Sequence, residues 1–216
     1  INSSNMYKLN SKKINYIKHD LNTLLNIVAR NKNILVTGGR SVDYFLSKVI
    51  KDKKLDNKKF NFFLSDERIT FKIKNTNNFK ISKFFKKNRK LKLHRIDNYP
   101  KDLIKETNRY SELFEKNKID VAFLSLGEHY HIASLFYDYP TIYDTKYTSI
   151  TYSEKFKFIR ISINKNLLEK VKKIYLFING IDKFKEFKYM LKNGILNFYF
   201  KKKTQKKIIL VLRNIY

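Results

Sequence analysis

Between Gly127 and His131 the chain sets down four polar or ionisable side chains in a row: Glu128, His129, Tyr130 and His131. They follow at once on Val121–Leu126, a nearly unbroken apolar run. Imidazole is the side chain whose ordinary pKa, near ~6.5, lets it take and return a proton at neutral pH. A histidine just beyond a buried strand is therefore placed to act as a general base. Two further stretches end apolar runs in the same way. Thr37-Gly38-Gly39-Arg40-Ser41 follows Ile34–Val36 and precedes a helical pattern. Strand, glycine pair and helix together aim backbone N–H groups and a helix N-terminus at an anion. Ser65-Asp66-Glu67-Arg68 puts two acids and a guanidinium directly after Phe60–Leu64. Later, Arg160 lies on the polar side of an alternating segment, and Lys183 stands in the first turn of a helical one. His129-x-His131 has the spacing of half a metal site, but no third ligand stands at a recognised distance, so no metal and no other cofactor is expected.

The elements that must hold these groups read from hydrophobic spacing. Ile14 to Ala29 steps by three and four residues and predicts an amphipathic helix. Ile34–Val36, Phe60–Leu64, Leu91–Ile96, Val121–Leu126, Phe156–Ile163, Val171–Ile178 and Ile208–Leu212 predict strands. Val42–Ile50, Phe79–Phe85, Asp102–Lys116, Asn164–Glu169 and Asp182–Leu191 predict helices between them, and Tyr137–Ser153 reads as loop. Alternating strands and helices predict an α/β fold with a mostly parallel sheet covered on both faces. In such a sheet ligands bind beyond the carboxyl ends of the strands, where most of the polar clusters fall.

Composition bounds the rest. At 216 residues, with two prolines, five glycines and no low-complexity linker, a single domain spanning 1–216 is expected. There is no cysteine, which excludes disulfides, thiolate metal sites and a cysteine nucleophile. No apolar run is long enough to cross a bilayer, so no membrane role is expected, and a cytoplasmic location is the default. The chain opens at Ile1 and not Met, which leaves its true start open. The net charge of +28 suits an anionic partner. The excess is almost all lysine spread along the chain, and with abundant Asn, Ile, Phe and Tyr it is the mixture an AT-rich genome writes. Nucleic-acid binders concentrate their charge and lean on arginine for base contacts, so a nucleic-acid role ranks last.

Five blocks, in order, resemble the 6-phosphogluconolactonase family. Val36-Thr37-Gly38-Gly39-Arg40-Ser41 is similar to its Ser-Gly-Gly-Arg-Ser-Pro motif. Asp66-Glu67-Arg68 with Asn78 resembles its Asp-Glu-Arg…Ser-Asn segment. Gly127, His131, Ala133, Ser134, Leu135 and Phe136 match its Gly-x-Asp-Gly-His-x-Ala-Ser-Leu-Phe block. Arg160-Ile-Ser-Ile and Gly180…Lys183 resemble its later strand and turn. The resemblance implies a three-layer α/β sandwich similar to glucosamine-6-phosphate deaminase and ribose-5-phosphate isomerase. It also implies metal-free hydrolysis of 6-phosphogluconolactone, with a small-molecule sugar phosphate as the partner; the assembly is expected to be a monomer or homodimer, a choice the sequence leaves open. On that basis His131 is the base, with Asp66 and Arg68 beside the lactone ring. Gly38, Gly39, Arg40, Ser41, Asn78, Gly127, Arg160 and Lys183 bind substrate or phosphate. No Asn-Glu-Pro follows the histidine block, which favours the lactonase branch over the deaminase. His129-Tyr130 replaces the family's Asp-Gly, so a non-catalytic or re-purposed sugar-phosphate binder is the alternative.

Overall fold

The computed structural model describes residues 5–9, 12–18, 20–49, 51–52, 55, 59–85 and 91–215. Its strands are β1 (Asn5–Leu9), β2 (Lys12–Lys18), β3 (Asn33–Val36), β4 (Phe60–Leu64), β5 (Asp66–Arg68), β6 (Leu91–His94), β7 (Val121–Ser125), β8 (Thr141–Asp144), β9 (Thr148–Thr151), β10 (Arg160–Ile163), β11 (Lys173–Asn179) and β12 (Ile208–Arg213). Its helices are α1 (Leu21–Ala29), α2 (Arg40–Val49), α3 (Asn77–Phe85), α4 (Leu103–Lys116), α5 (Lys165–Lys170), α6 (Ile181–Lys192), α7 (Leu196–Tyr199) and α8 (Lys202–Gln205).

Eight strands form the main sheet in the order β1-β2-β12-β11-β7-β3-β4-β6. Only the β1–β2 edge pair is antiparallel; every other neighbouring pair is parallel. Residues alternate along each strand, so each strand feeds two cores. Ile34, Val36, Phe62, Leu64 and Phe123 join Leu24 and Val28 of α1 and Val42, Phe45 and Leu46 of α2 on one face. Leu35, Phe63, Ala122 and Leu124 join Tyr110 and Phe114 of α4 and Phe187 and Met190 of α6 on the other. The expected helix–sheet–helix layering is thus present.

Three expectations are corrected. The apolar steps of Ile14 and Ile17 belong to a strand: β2 pairs in parallel with β12, and the helix starts only after Asp20. Asp20 is the physical boundary, because its carboxylate accepts the N–H groups of Asn22 and Thr23 and caps α1. Tyr137–Ser153 is not loop; it holds β8 and β9. Phe156–Ile163 is strand only from Arg160 on, because Phe156 lies in a turn closed by its N–H and that of Lys157 on the Ser153 carbonyl. β10 pairs with Asp66–Arg68 in a second, antiparallel sheet of order β5-β10-β9-β8. Short strands rich in Thr and Ser carry little hydrophobic periodicity, which is why this sheet escapes a pattern-based reading.

Candidate active site

Four adjacent parallel strands, β11, β7, β3 and β4, end side by side, and each hands the chain to one of the polar stretches. β3 runs into Gly38-Gly39, β4 into Ser65-Asp66, β7 into Gly127–His131, and β11 into the turn before Lys183. The second sheet then brings Arg160 across: Arg160 pairs with Arg68 and Ser162 with Asp66 in the β5–β10 register. Ile161 and Ile163 face the core, so Arg160 and Ser162 face the other way.

Asp66 is buried and held from three directions. Its Oδ1 accepts from Ser65 Oγ at 2.7 Å, and its Oδ2 accepts from Ser134 Oγ at 2.7 Å and from Asn77 Nδ2 at 3.3 Å. Arg160, only 5% exposed, donates through Nη1 to Ser134 Oγ at 3.2 Å. Ser134 therefore bridges the buried guanidinium and the buried carboxylate. Its own N–H donates to Ser162 Oγ at 3.1 Å, which fixes the segment after His131 to β10. Arg160 Nε is buried and has no hydrogen-bond partner among the described residues.

His131 belongs to a tight turn closed by Gly127 N–H donating to the His131 carbonyl at 2.8 Å. The imidazole lies flat over Gly127: a Cβ there would sit 2.0 Å from His131 Nε2. Nδ1 meets the Glu128 carbonyl at 2.5 Å. A carbonyl can only accept, so Nδ1 carries the proton and Nε2 keeps its lone pair. Burial pulls the His131 pKa down to about 4; Arg160 and Lys183 push the same way, while the Glu128 carbonyl and Asp66 oppose them. Arg160 shares the Phe136 and Phe156 rings with this imidazole. Lys183 Nζ donates to the Gly127 carbonyl and to Glu186, both at 2.9 Å, tying α6 to the histidine turn.

Other expected residues fall differently. Arg68 Nη1 donates to the Asn75 carbonyl at 2.8 Å and to Asn77 Oδ1 at 3.3 Å, so it reaches Asp66 only through Asn77. Asn78 turns its amide to the Ile96 carbonyl at 2.6 Å; Asn77 is the asparagine at the carboxylate. Gly38 is required by close packing, because a Cβ would lie 2.5 Å from the Asn77 side chain, whereas one on Gly39 would meet nothing nearer than Ser125 Oγ at 3.9 Å. Arg40 and Ser41 open α2, but their side chains lie outside the described residues.

His129 and Tyr130 take φ of 52° and 64°, and Ala133 takes 53°. This left-handed region suits glycine and is uncommon for a bulky side chain. Tyr130 carries its ring to Tyr189 of α6, stacked at 5.6 Å and 17°. His129 is exposed and accepts Lys155 Nζ at 3.1 Å through Nδ1. No group of three or more His, Asp or Glu side chains among the described residues has metal-binding geometry. A separate apolar groove of about 550 Å³ lies between the start of α4 and β8–β9, lined in part by Ile104, Ile142, Ile150 and Ile159, and contains none of the polar side chains above.

Sequence reading passed over Ser65, Asn77, Phe156 and, as a site residue, Ser134. Ser65 and Asn77 had a signal, since each adjoins a residue that was singled out. Phe156 had none.

The family model described as "Glucosamine-6-phosphate isomerases/6-phosphogluconolactonase" matches residues 8–196. No curated protein matches the chain by sequence. Among solved structures, a 6-phosphogluconolactonase from Plasmodium vivax superposes with a TM-score of 0.76 at 21% identity, covering 97% of this chain and 93% of that one. One from Thermotoga maritima gives 0.74 at 23%, covering 89% and 92%. A monomeric glucosamine-6-phosphate deaminase gives 0.71 at 15%, covering 92% and 98%. At these identities the likeness is one of fold.

Proposed function

The chain belongs to the glucosamine-6-phosphate isomerase/6-phosphogluconolactonase family, and from that premise we propose that it hydrolyses 6-phospho-D-glucono-1,5-lactone to 6-phosphogluconate. What supports this reading is one imidazole at the carboxyl edge of the sheet with Nδ1 committed to the Glu128 carbonyl, its turn held by Lys183 and its ring packed on the same phenylalanines as Arg160, which Ser134 joins to Asp66. A sugar lactone is an activated ester and needs only a base for the attacking water, donors for the developing oxyanion, and a grip on the phosphate.

His131 Nε2 takes a proton from water as the oxygen adds to the lactone carbonyl. The carbonyl oxygen becomes an oxyanion, served by N–H groups of the Gly38-Gly39 turn and the start of α2. When the ring C–O bond breaks, the imidazolium returns the proton to the departing ring oxygen, so water is consumed and nothing else is gained or lost. Asp66, with its two oxygens already taken by Ser65, Ser134 and Asn77, acts through its charge and stabilises the transient imidazolium. Arg160, whose buried guanidinium adds its charge, and Lys183, with a third ammonium proton to give, are the phosphate cations. Gly127 gives the imidazole room.

The test is acid release from freshly made lactone. Purified protein should exceed the buffer rate, and His131→Ala should lose most of the excess, on the order of 10²- to 10⁴-fold. Wild-type protein no faster than buffer would overturn the proposal. A second reading, a sugar-phosphate binder without turnover, is favoured by one feature only: His129 and Tyr130 in backbone conformations that suit glycine. It predicts a higher Tm with 6-phosphogluconate but no acid release.

A further inference from the structure

The His131 imidazole is closed on two sides by different means. On the inner side it rests on the Gly127 backbone and is bonded to the Glu128 carbonyl. On the outer side it meets two aromatic rings. Phe156 approaches edge-on at 4.9 Å and 70°, and Phe136 lies at 5.5 Å. The two phenylalanines stack on each other at 5.3 Å and 19°. The Arg160 guanidinium carbon lies 5.5 Å from the Phe136 ring and 5.6 Å from the Phe156 ring. Neither phenylalanine belongs to the two apolar cores that flank the main sheet.

Phe136 is buried at the end of the histidine block. Phe156 comes from elsewhere: it sits in the connection between β9 and β10, where Tyr152, Glu154, Lys155, Lys157 and Ile159 are all exposed. Its inward direction is built locally. The N–H groups of Phe156 and Lys157 both donate to the Ser153 carbonyl, at 3.0 and 2.9 Å, and Lys157 takes a left-handed φ of 59°. Lys155, on its other side, is tethered to His129. A large apolar ring on an exposed connection, turned toward one imidazole and one guanidinium and away from either core, acts on those two groups.

We propose that Phe156 is a positioning residue for the reaction: it shields the His131 ring from bulk solvent, leaves Nε2 to the one water that reacts, and so keeps the base neutral and fixed in orientation. This rests on His131 being the base. The charged groups facing the imidazole are Asp66 from β5, Arg160 from β10 and Lys183 from α6, with His129 and Lys155 at the rim. Asp66 favours the protonated ring; Arg160 and Lys183 disfavour it; burial outweighs each of them. Removing Phe156 relaxes the burial and leaves those three charges in place. The imidazole then protonates more easily, and the acid limb of the kcat/KM profile moves to higher pH.

The experiment is an NMR titration of the imidazoles in the full chain, which has only four histidines, with His131→Gln used for assignment. Wild-type His131 should titrate below about pH 5, and Phe156→Ala and Phe156→Ser should raise its midpoint by about one unit or more. Phe156→Leu, which restores an apolar cover, should stay within about half a unit of wild type. The acid limb of kcat/KM should move with the midpoint in each variant, a change that a merely structural role would not produce. Midpoints unchanged in Phe156→Ala and Phe156→Ser would overturn the proposal, as would a wild-type midpoint near ~6.5. The titration needs no turnover. An inactive wild type would therefore remove the catalytic reading of His131, while the enclosure of the ring is judged separately.

Discussion

At the scale of single residues, the site depends on what is missing from Gly127 as much as on what His131 brings. A methyl group on Gly127 would collide with the imidazole, whose nearest atoms lie 2.0, 2.2 and 2.5 Å from the Cβ position. Gly127→Ala should therefore displace the ring and cost activity about as much as losing the base, on the order of 10²-fold or more. The fold should survive, because Gly127 lies beyond the end of β7. A circular dichroism melt beside the lactone assay checks both halves; an active Gly127→Ala would contradict the geometry. The imidazole also leaves a trace in stability. Its pKa is about 4 in the fold against an ordinary 6.5. Below 6.5 the unfolded chain binds a proton that the folded chain refuses, so this contribution is full above 6.5 and is lost as pH falls toward 4. His131→Gln should lack that loss, and urea melts at pH 7.5 and 5 will reveal whether the gap between the two proteins narrows. At neighbouring Tyr130 the backbone is left-handed, the conformation a glycine takes freely. That is a physical reason for the glycine in the family motif, and the Tyr130–Tyr189 stack gives this chain another way to hold the turn.

At the scale of elements, Glu67 joins the second sheet to α3. It is fully buried, and its carboxylate accepts the N–H groups of Arg68 and Asn77 on Oε1 and of Asn78 on Oε2. It therefore caps the start of α3 and fixes Asn77 against Asp66. Glu67→Ala strands those buried donors and should destabilise the fold by about 1–3 kcal/mol. Burial pushes the Glu67 pKa up to about 7 despite the three donors. A raised carboxylate pKa contributes stability that is complete below the unfolded value and is lost as pH rises through the folded one. The stability of wild type relative to Glu67→Gln should thus decline between about pH 4.5 and 7; a constant difference across that range would contradict the shift. Glu67 also marks the limit of sequence reading. Six strands of the main sheet, β3, β4, β6, β7, β11 and β12, were legible as apolar runs, several ending in the polar clusters that hold Gly38, Asp66 and His131; β1 was not read and β2 was merged into the helix that follows it. The second sheet was not legible. Its strands are three or four residues long, and Asp66–Arg68 has no apolar residue to mark it as one. Arg160 was identified by its motif, but its bridge through Ser134 to Asp66 depends on a tertiary contact that no local pattern encodes.

At the scale of the whole molecule, the charge of +28 has two readings with different salt dependence. The C-terminal lysine run is partly engaged within the fold: Lys201 pairs with Glu169 at 2.9 Å, and Lys207 Nζ donates to the Glu169 and Val171 carbonyls at 2.8 and 3.1 Å. At the carboxyl edge of the sheet, Asp66, Glu67 and the Glu186 that pairs with Lys183 offset Arg68, Arg160 and Lys183, so the surplus that acts on a substrate is that of the chain as a whole. A surplus of this kind raises the encounter rate of a dianionic substrate by steering, and steering weakens as the screening length falls from about 10 Å at 0.1 M salt to about 3 Å at 1 M. The kcat/KM for 6-phosphogluconolactone should therefore fall several-fold between about 0.02 and 0.5 M salt. For the uncharged gluconolactone the same range should leave it nearly flat, because a neutral molecule feels no such field. Equal salt sensitivity of the two substrates would mean that salt acts on the protein itself and that the lysines do not steer. Duplex DNA binding that is steeply lost over the same range, with no lactone turnover, would instead return the charge to a nucleic-acid role.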